Sequence, residues 1–423
     1  MTLEYAKQLD EKDELKGFRE KFNLPVTKDK PLIYFCGNSL GLQPKKTKEY
    51  FDQELNDWAN LGVEGHFQGK NPWLHFHKSF SKSLSKITGA KISEVVAMNS
   101  LTVNLHLMLT TFYRPTAKRY KIIIEPGSFS SDVHAVTSQI KLHGLNPKNI
   151  LFELKPRKGE FIIRTEEIVK QIERHKSDLA LVLLGGVNYY TGQAFDMEVI
   201  TKAVHKVGAK AGYDLAHAIG NIPLELHKWE VDFAVWCSYK YLNSGPGAVG
   251  GIFIHEKHTK IKTLPRLAGW WGHQEKTRFQ MKPEFIPTPT AEGWQLSNAP
   301  VFNMIGHKAS LEIFEEAGMK PIVKKSRSMT TFLEDMIKTQ CKIETGYKIK
   351  IITPGSIDER GSQISIFVMK NGEELFQKIT EAGFVVDWRS PNVIRVAPTP
   401  LYNSFEEVYL FAEFLSTCCL YLK

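Results

Sequence analysis

Seven apolar runs of strand length recur between residues 94 and 254, at Glu94–Met98, Tyr120–Ile124, Ile150–Leu154, Leu179–Leu184, Lys210–Asp214, Val231–Trp236 and Gly250–Ile254. Stretches of helical composition separate several of them, notably 102–112, 130–143, 165–176 and 196–207. A strand that is apolar at nearly every position has no solvated face, so the alternation predicts an α/β chain whose mostly parallel, seven-stranded sheet is covered by helices on both sides. Ligands of such sheets gather beyond the carboxyl ends of the strands. This large domain is expected over 45–300, ending in a Pro-, Thr- and Gly-rich connection from Pro283 to Pro300. Beyond it, helices at 303–318 and 321–339, short strands near 349–353, 363–369, 384–388 and 393–397, and a last helix at 404–421 predict a smaller α+β domain over 301–423. Residues 1–44 read as a charged amphipathic helix followed by an irregular arm.

The chain has 423 residues, 42% apolar and 24% charged, which supports a large core and excludes disorder and coiled-coil rods. Its formal charge of +9 is spread among interspersed signs, and basic clusters such as Lys324-Lys325-Ser326-Arg327 lack interleaved aromatics. No nucleic-acid partner is therefore expected, whereas a basic site for an acidic small molecule fits. The uncharged stretch Val95–Tyr113 is broken by Asn99, Ser100, Thr102, Asn104 and His106, so no membrane span is expected. The first ten residues lack the apolar core of a secretion signal and carry acids, which predicts a cytoplasmic protein. Five cysteines without a C-x-x-C spacing predict reduced thiols and no metal site.

Chemistry concentrates between Asp214, which ends one expected strand, and Lys240, which follows the next. An acid at a strand end can face a cationic heterocyclic nitrogen, and a partly buried lysine can bond a carbonyl cofactor; together they are the two fixed points of pyridoxal phosphate chemistry. Met98-Asn-Ser-Leu-Thr102 stands between a strand and a helix, where free amides and the Thr hydroxyl suit a phosphate. Phe129, after the next strand, offers a flat cover for a ring.

The order of motifs resembles kynureninase nearly end to end. It rests on Phe35-Cys-Gly-Asn-Ser-Leu-Gly-Leu-Gln-Pro44, Met98-Asn-Ser-Leu-Thr-Val-Asn-Leu-His106, Tyr190-Thr-Gly-Gln193, Gly212-Tyr-Asp-Leu-Ala-His-Ala-Ile-Gly-Asn221, Cys237-Ser-Tyr-Lys-Tyr-Leu-Asn243, Gly269-Trp-Trp-Gly-His273 and Ile394-Arg-Val-Ala-Pro398. The resemblance implies the aspartate aminotransferase-like fold (pyridoxal phosphate fold type I) and a homodimer with shared active sites. The implied reaction is hydrolysis of kynurenine or 3-hydroxykynurenine to anthranilate or 3-hydroxyanthranilate plus alanine, in tryptophan catabolism and NAD biosynthesis.

Site roles follow from the resemblance position by position. Lys240 is to hold the cofactor aldehyde covalently, Asp214 to pair with its ring nitrogen, His217 to lie beside it and Phe129 to stack on it. Leu101, Thr102, Ser130, Ser131 and Asp132 complete the near wall. Tyr239 is to reach the phosphate and serve as proton donor, and Trp270 and Asn298 are to enter from the partner subunit. Arg395 is to bind the substrate's α-carboxylate, a task suited to a planar fork of donors. His66, Ser39 and Asn298 are to meet the aromatic end; the pair His66 and Asn298 resembles the animal type, which favours 3-hydroxykynurenine. Gly185 stands where Ser is expected beside the cofactor, and Tyr189 and Trp271 where Phe is expected.

A cysteine desulfurase or transaminase of the same fold is the alternative enzyme. Desulfurases usually carry His before the lysine and Gln three residues after the aspartate, positions held here by Tyr239 and His217. A cofactor-free basic binding protein is the alternative from another class.

Overall fold

The computed structural model describes residues 1–27, 30–341 and 349–421. Its large sheet contains β1 (Val95–Ala97), β2 (Lys121–Ile124), β3 (Leu151–Glu153), β4 (Leu179–Gly185), β5 (Lys210–Asp214), β6 (Phe233–Cys237) and β7 (Gly250–Ile254). All seven coincide with the expected runs to within two residues at either end. The strand order is β1-β7-β6-β5-β4-β2-β3. β3, β2, β4, β5 and β6 run parallel, while β7 is antiparallel to both β6 and β1.

Period-two alternation sends successive side chains into two different cores. Ile123, Val182, Leu184, Tyr213 and Trp236 enter one, whereas Ile122, Ile124, Leu181, Leu183, Phe233 and Val235 enter the other. Helices α1 (Leu101–Phe112) and α2 (Ser130–Leu142) cover the second face, and α3 (Met197–Lys206) lies against the first. The connection after Pro283 is packed rather than loose: Trp294 is buried, its Nε1 donates to Thr111 Oγ1 at 3.0 Å, and the Arg266 guanidinium lies 3.8 Å from its ring centroid.

A third core unites α5 (Met319–Gln340), α6 (Phe405–Tyr421) and a four-stranded antiparallel sheet. The sheet order is β8 (Ile349–Ile351), β9 (Ile364–Val368), β11 (Val393–Val396) and β10 (Asp387–Arg389). Helix α4 (Val301–Ala317), assigned by sequence to the head of the small domain, buries Met304, Leu311, Phe314 and Ala317 in the large core instead. The arm joins both lobes. Ile33–Tyr34 pairs in parallel with Phe384–Val385, and Gly41 N donates to the Tyr239 carbonyl at 2.8 Å. A Cβ on Gly41 would stand 2.4 Å from the Lys240 carbonyl, so only glycine lets the arm pass there.

His307, on α4, is fully buried, lies 2.7 Å from Ser244 Oγ and stacks on Phe80 at 5.4 Å. Burial pushes its pKa down to about 3. In the unfolded chain it takes a proton near pH ~6.5, so its neutral form supports the fold above that pH and the contribution is lost as pH falls from there toward the folded value. The unfolding free energy of His307→Leu should fall less steeply than wild type between pH 6.5 and 4, by up to ~1.4 kcal/mol per unit in urea titrations. Ser244 Oγ keeps its bond to the Leu242 carbonyl in that variant. Equal slopes would refute the assignment.

Candidate active site

The carboxyl ends of β2, β4, β5 and β6 open into one cavity, lined in part by Thr102, Glu125, Phe129, Gly185, Asp214 and Lys240. Leu101, Ser131, Asp132, Val187, Tyr189, Ala216, His217 and Tyr239 complete the lining. Ten of the residues singled out by sequence are therefore neighbours in space. Lys240 Nζ is partly buried, 2.9 Å from His217 Nε2, and lies 5.9 Å from the Phe129 ring centroid and 6.0 Å from that of Tyr239.

Electrostatics distinguish these groups. Asp214 receives the Ala216 amide at 2.7 Å, yet burial raises its pKa above the usual carboxylate range. Asp132 is pushed well up, first by burial and then by the charge of Asp214 beside it. Two carboxyls sharing a buried site in this way hold a proton between them. Burial, with Lys240 second, holds His217 well below the ordinary histidine range, so it faces the lysine as a neutral imidazole. Burial likewise raises the Tyr239 phenol, keeping it protonated as a donor must be. The amino ends of α1 and α2 meet at the near wall, where Thr102 Oγ1 and Ser131 Oγ are 2.8 Å apart. Two helix ends with free amides and two hydroxyls make an anion cradle.

Arg395 is fully buried in β11, paired in register with Asp387 on β10. Its Nε and Nη2 lie 2.9 Å and 2.8 Å from Asp387 Oδ1, and Nη1 donates to the Tyr189 carbonyl at 2.7 Å. Asp387 also receives Ser39 Oγ at 2.8 Å and lies 2.9 Å from Arg389 Nε. The Ser39 hydroxyl is thus spent on holding Asp387. Tyr189 joins the two groups of residues: its ring meets Phe129 edge-on at 5.4 Å, and Arg389 lies 5.9 Å from it.

Four predicted residues stand apart from the Lys240 cavity within the chain. Ser130 is exposed at the start of α2, Asn298 is exposed, and Trp270 is 44% exposed with its Nε1 donating to the Arg278 carbonyl at 3.0 Å. His66 packs edge-on against Trp73 at 5.5 Å. Two unforeseen participants are Glu125 and Asp387. Glu125 carries the signal that selected Asp214, an acid immediately after an apolar strand; Asp387 reaches Arg395 only through strand register. Trp271, flagged as a departure, is buried with the Arg278 guanidinium 4.4 Å from its ring centroid.

One further cluster, Glu94–His227–His255, has the spacing of metal ligands. Its atoms are already used: Glu94 takes the Lys91 and Glu256 amides at 2.9 Å and 2.8 Å, and His255 Nδ1 accepts from Lys257 N at 3.2 Å.

A doubly wound sheet with an aspartate at one strand end, a lysine after the next and an anion cradle opposite defines an enzyme of pyridoxal phosphate fold type I. Solved structures agree on the fold: a cysteine desulfurase from Thermococcus onnurineus superposes with a TM-score of 0.77 at 18% identity, covering 96% of this chain and 98% of that one. A cysteine desulfurase of Escherichia coli gives 0.75 at 16% identity, with 96% and 98% covered. The model of the kynureninase C-terminal domain matches residues 322–415. Kynureninases of Flavobacterium psychrophilum and Myxococcus xanthus are 52% and 50% identical over 98% and 97% of this chain and 97% and 96% of their own length. The chain belongs to the kynureninase family. These relatives come from bacteria, so high identity to it is not confined to animals.

Proposed function

We propose that the enzyme hydrolyses 3-hydroxykynurenine in preference to kynurenine, releasing 3-hydroxyanthranilate or anthranilate with alanine, as a cytoplasmic step of tryptophan catabolism toward NAD. The observation that carries the catalytic reading is the joint presence of Lys240, neutral His217 and a buried Asp214 in one cavity. The cavity fits pyridoxal phosphate on its own evidence. Among the described residues His217 Nδ1 and Asp132 Oδ1 are buried without partners, and the Phe129 ring is 45% exposed, leaving a flat face for a heterocycle.

When bound, the cofactor supplies an electron sink for bonds made and broken at the substrate's Cα and Cβ. Lys240 would hold the aldehyde, Asp214 the ring nitrogen, and Thr102 and Ser131 with the adjoining amides the phosphate. Lys240 would take the Cα proton, and His217, kept neutral by its burial, orients the lysine through the 2.9 Å contact of Nε2 with Nζ. Arg395 grips the α-carboxylate, its orientation fixed by Asp387 and the Tyr189 carbonyl. Water adds to the side-chain carbonyl, the Cβ–Cγ bond breaks, and Tyr239 delivers the proton that converts Cβ into the methyl group of alanine.

Exposed Trp270, Phe279 and Met281 in one segment, and Leu55 and Trp58 on the helix Lys46–Leu61 with Val63 and Phe67 just after it, support a homodimer. In it Trp270 and Asn298 would complete the partner's site, and His66 and Asn298 would bond the ring hydroxyl. The test gives the purified, cofactor-saturated protein an equal mixture of both substrates. Alanine should equal the summed aromatic amines, with 3-hydroxyanthranilate in excess, and His66→Phe should shift the ratio toward anthranilate by ~10-fold. An excess of anthranilate from the wild type would reverse the stated preference; absence of alanine would remove the reaction.

A further inference from the structure

Glu125 follows β2 directly and is 4% exposed, in the same cavity as Asp214, yet none of the steps above uses it. Its Oε2 accepts the Gly185 amide at 2.6 Å and its Oε1 the Asn188 Nδ2 at 3.0 Å. Gly185 is the register partner of Asp214 across β4 and β5, and the next amide, Gly186 N, donates to the Asp214 carbonyl at 2.7 Å. Successive amides of one turn thus run to Glu125 on one side and Asp214 on the other.

We propose that Glu125 is a positioning residue for Asp214: its carboxyl braces the Gly185–Asn188 turn and sets the negative charge that Asp214 faces. This rests on the cavity being the cofactor site.

Gly185 itself supports the assignment. A Cβ there would stand 3.1 Å and 3.2 Å from the two Glu125 oxygens and 3.2 Å from the Val187 carbonyl, so a side chain at 185 would press on the brace. The glycine found where the resemblance expects serine lets the backbone amide meet the carboxyl at 2.6 Å. Burial is the main influence on Glu125 and carries its pKa up to about 7, with Asp214 adding in the same direction. Asp214 at the end of β5 and Asp132 on α2 are the charged groups facing it, and Lys240 stands opposite both. Asp132 and Asp214 already share one proton opposite Lys240, and Glu125, beside Asp214 and held by the Gly185 amide and Asn188 Nδ2, holds a further proton below neutral pH and releases it above.

The test titrates the visible absorbance of the cofactor-loaded protein from pH 5.5 to 9 without substrate, for wild type, Glu125→Gln and Glu125→Ala. Wild type should show a spectral component with a midpoint near neutral that Glu125→Gln, which keeps the shape and loses the ionisation, does not. Glu125→Gln keeps an acceptor for the Gly185 amide but turns an NH2 on Asn188 Nδ2, so its cofactor dissociation constant should rise less than that of Glu125→Ala, which removes the whole brace and should lose at least ~10-fold. Superposable titrations of wild type and Glu125→Gln would overturn the electrostatic role; unchanged cofactor affinity in Glu125→Ala would overturn the brace. If the alanine variant does not fold, the glutamine titration decides alone. Absence of any visible band in the wild type would instead defeat the reading of the cavity.

Discussion

Lys240→Ala should lower turnover by ~10⁴-fold or more, because one change removes both the covalent anchor and the proton carrier. The fold should survive. Among the described residues the only hydrogen-bond partner of Lys240 Nζ is His217 Nε2, and that imidazole is already held neutral by its burial, while Asp132 and Asp214, on losing the lysine's charge, hold their shared proton more firmly instead of standing as unpaired anions. Circular dichroism and the unfolding midpoint in urea should match wild type while alanine release over a single turnover disappears. Lys240→Arg should fare no better, since a guanidinium is too weak an acid to give up its proton near neutral pH. Full activity in either variant would sink the assignment.

Arg395→Leu carries the second-largest expected loss, ~10²–10³-fold in kcat/KM, the scale of a bidentate charge-assisted pair. The surroundings are arranged so that this loss reads as binding and not as collapse. Asp387 would keep Arg389 at 2.9 Å and Ser39 at 2.8 Å, and the Tyr189 carbonyl would keep Gln363 Nε2 at 3.1 Å. No buried charge is left alone, which is the circumstance that makes a broken internal ion pair so destabilising. Arg395→Lys should not restore activity, because one ammonium cannot face Asp387 and a second carboxylate in the same plane. The measurement is the full dependence of rate on substrate concentration; an unchanged KM in Arg395→Leu would remove Arg395 from the carboxylate.

The sheet was legible because its seven strands are buried on both faces, and the near-continuous apolar runs this requires have no other ready explanation. The strand ends followed, and with them Asp214, Lys240, Thr102 and Phe129, whereas Ser131 and Asp132 came from the resemblance, which also named Ser130, outside the cavity. Glu125 obeys the same rule as Asp214 but stands outside every motif that carries the resemblance. Asp387 is different in kind: its pairing with Arg395 depends on cross-strand register, which an eight-residue separation in sequence does not reveal. Helix α4, placed by sequence at the head of the small domain, packs in the large core, since a run of apolar positions states that a helix is buried without naming its partner. Within a single chain His66, Trp270 and Asn298 do not meet Lys240, and the proposal that they act across a dimer seam rests on the resemblance and not on a local pattern.

The two ends of the chain meet in the small lobe. The carboxylate of Asp10, in the first helix, caps the last one, accepting the Phe405 and Glu406 amides at 2.7 Å and 2.9 Å, while Ile33–Tyr34 pairs with Phe384–Val385. At a synthesis rate of ~5–20 residues per second, the 395 residues that separate Asp10 from Phe405 take roughly 20–80 s to make, and until then Asp10 has no helix to cap. The large sheet can assemble while the ribosome is still working. The lobe carrying Arg395 must wait until the residues around Phe405 have been made, so a nascent chain acquires its lysine pocket well before it acquires the means to grip a substrate, and the first helix is the segment for which a chaperone has the longest opportunity.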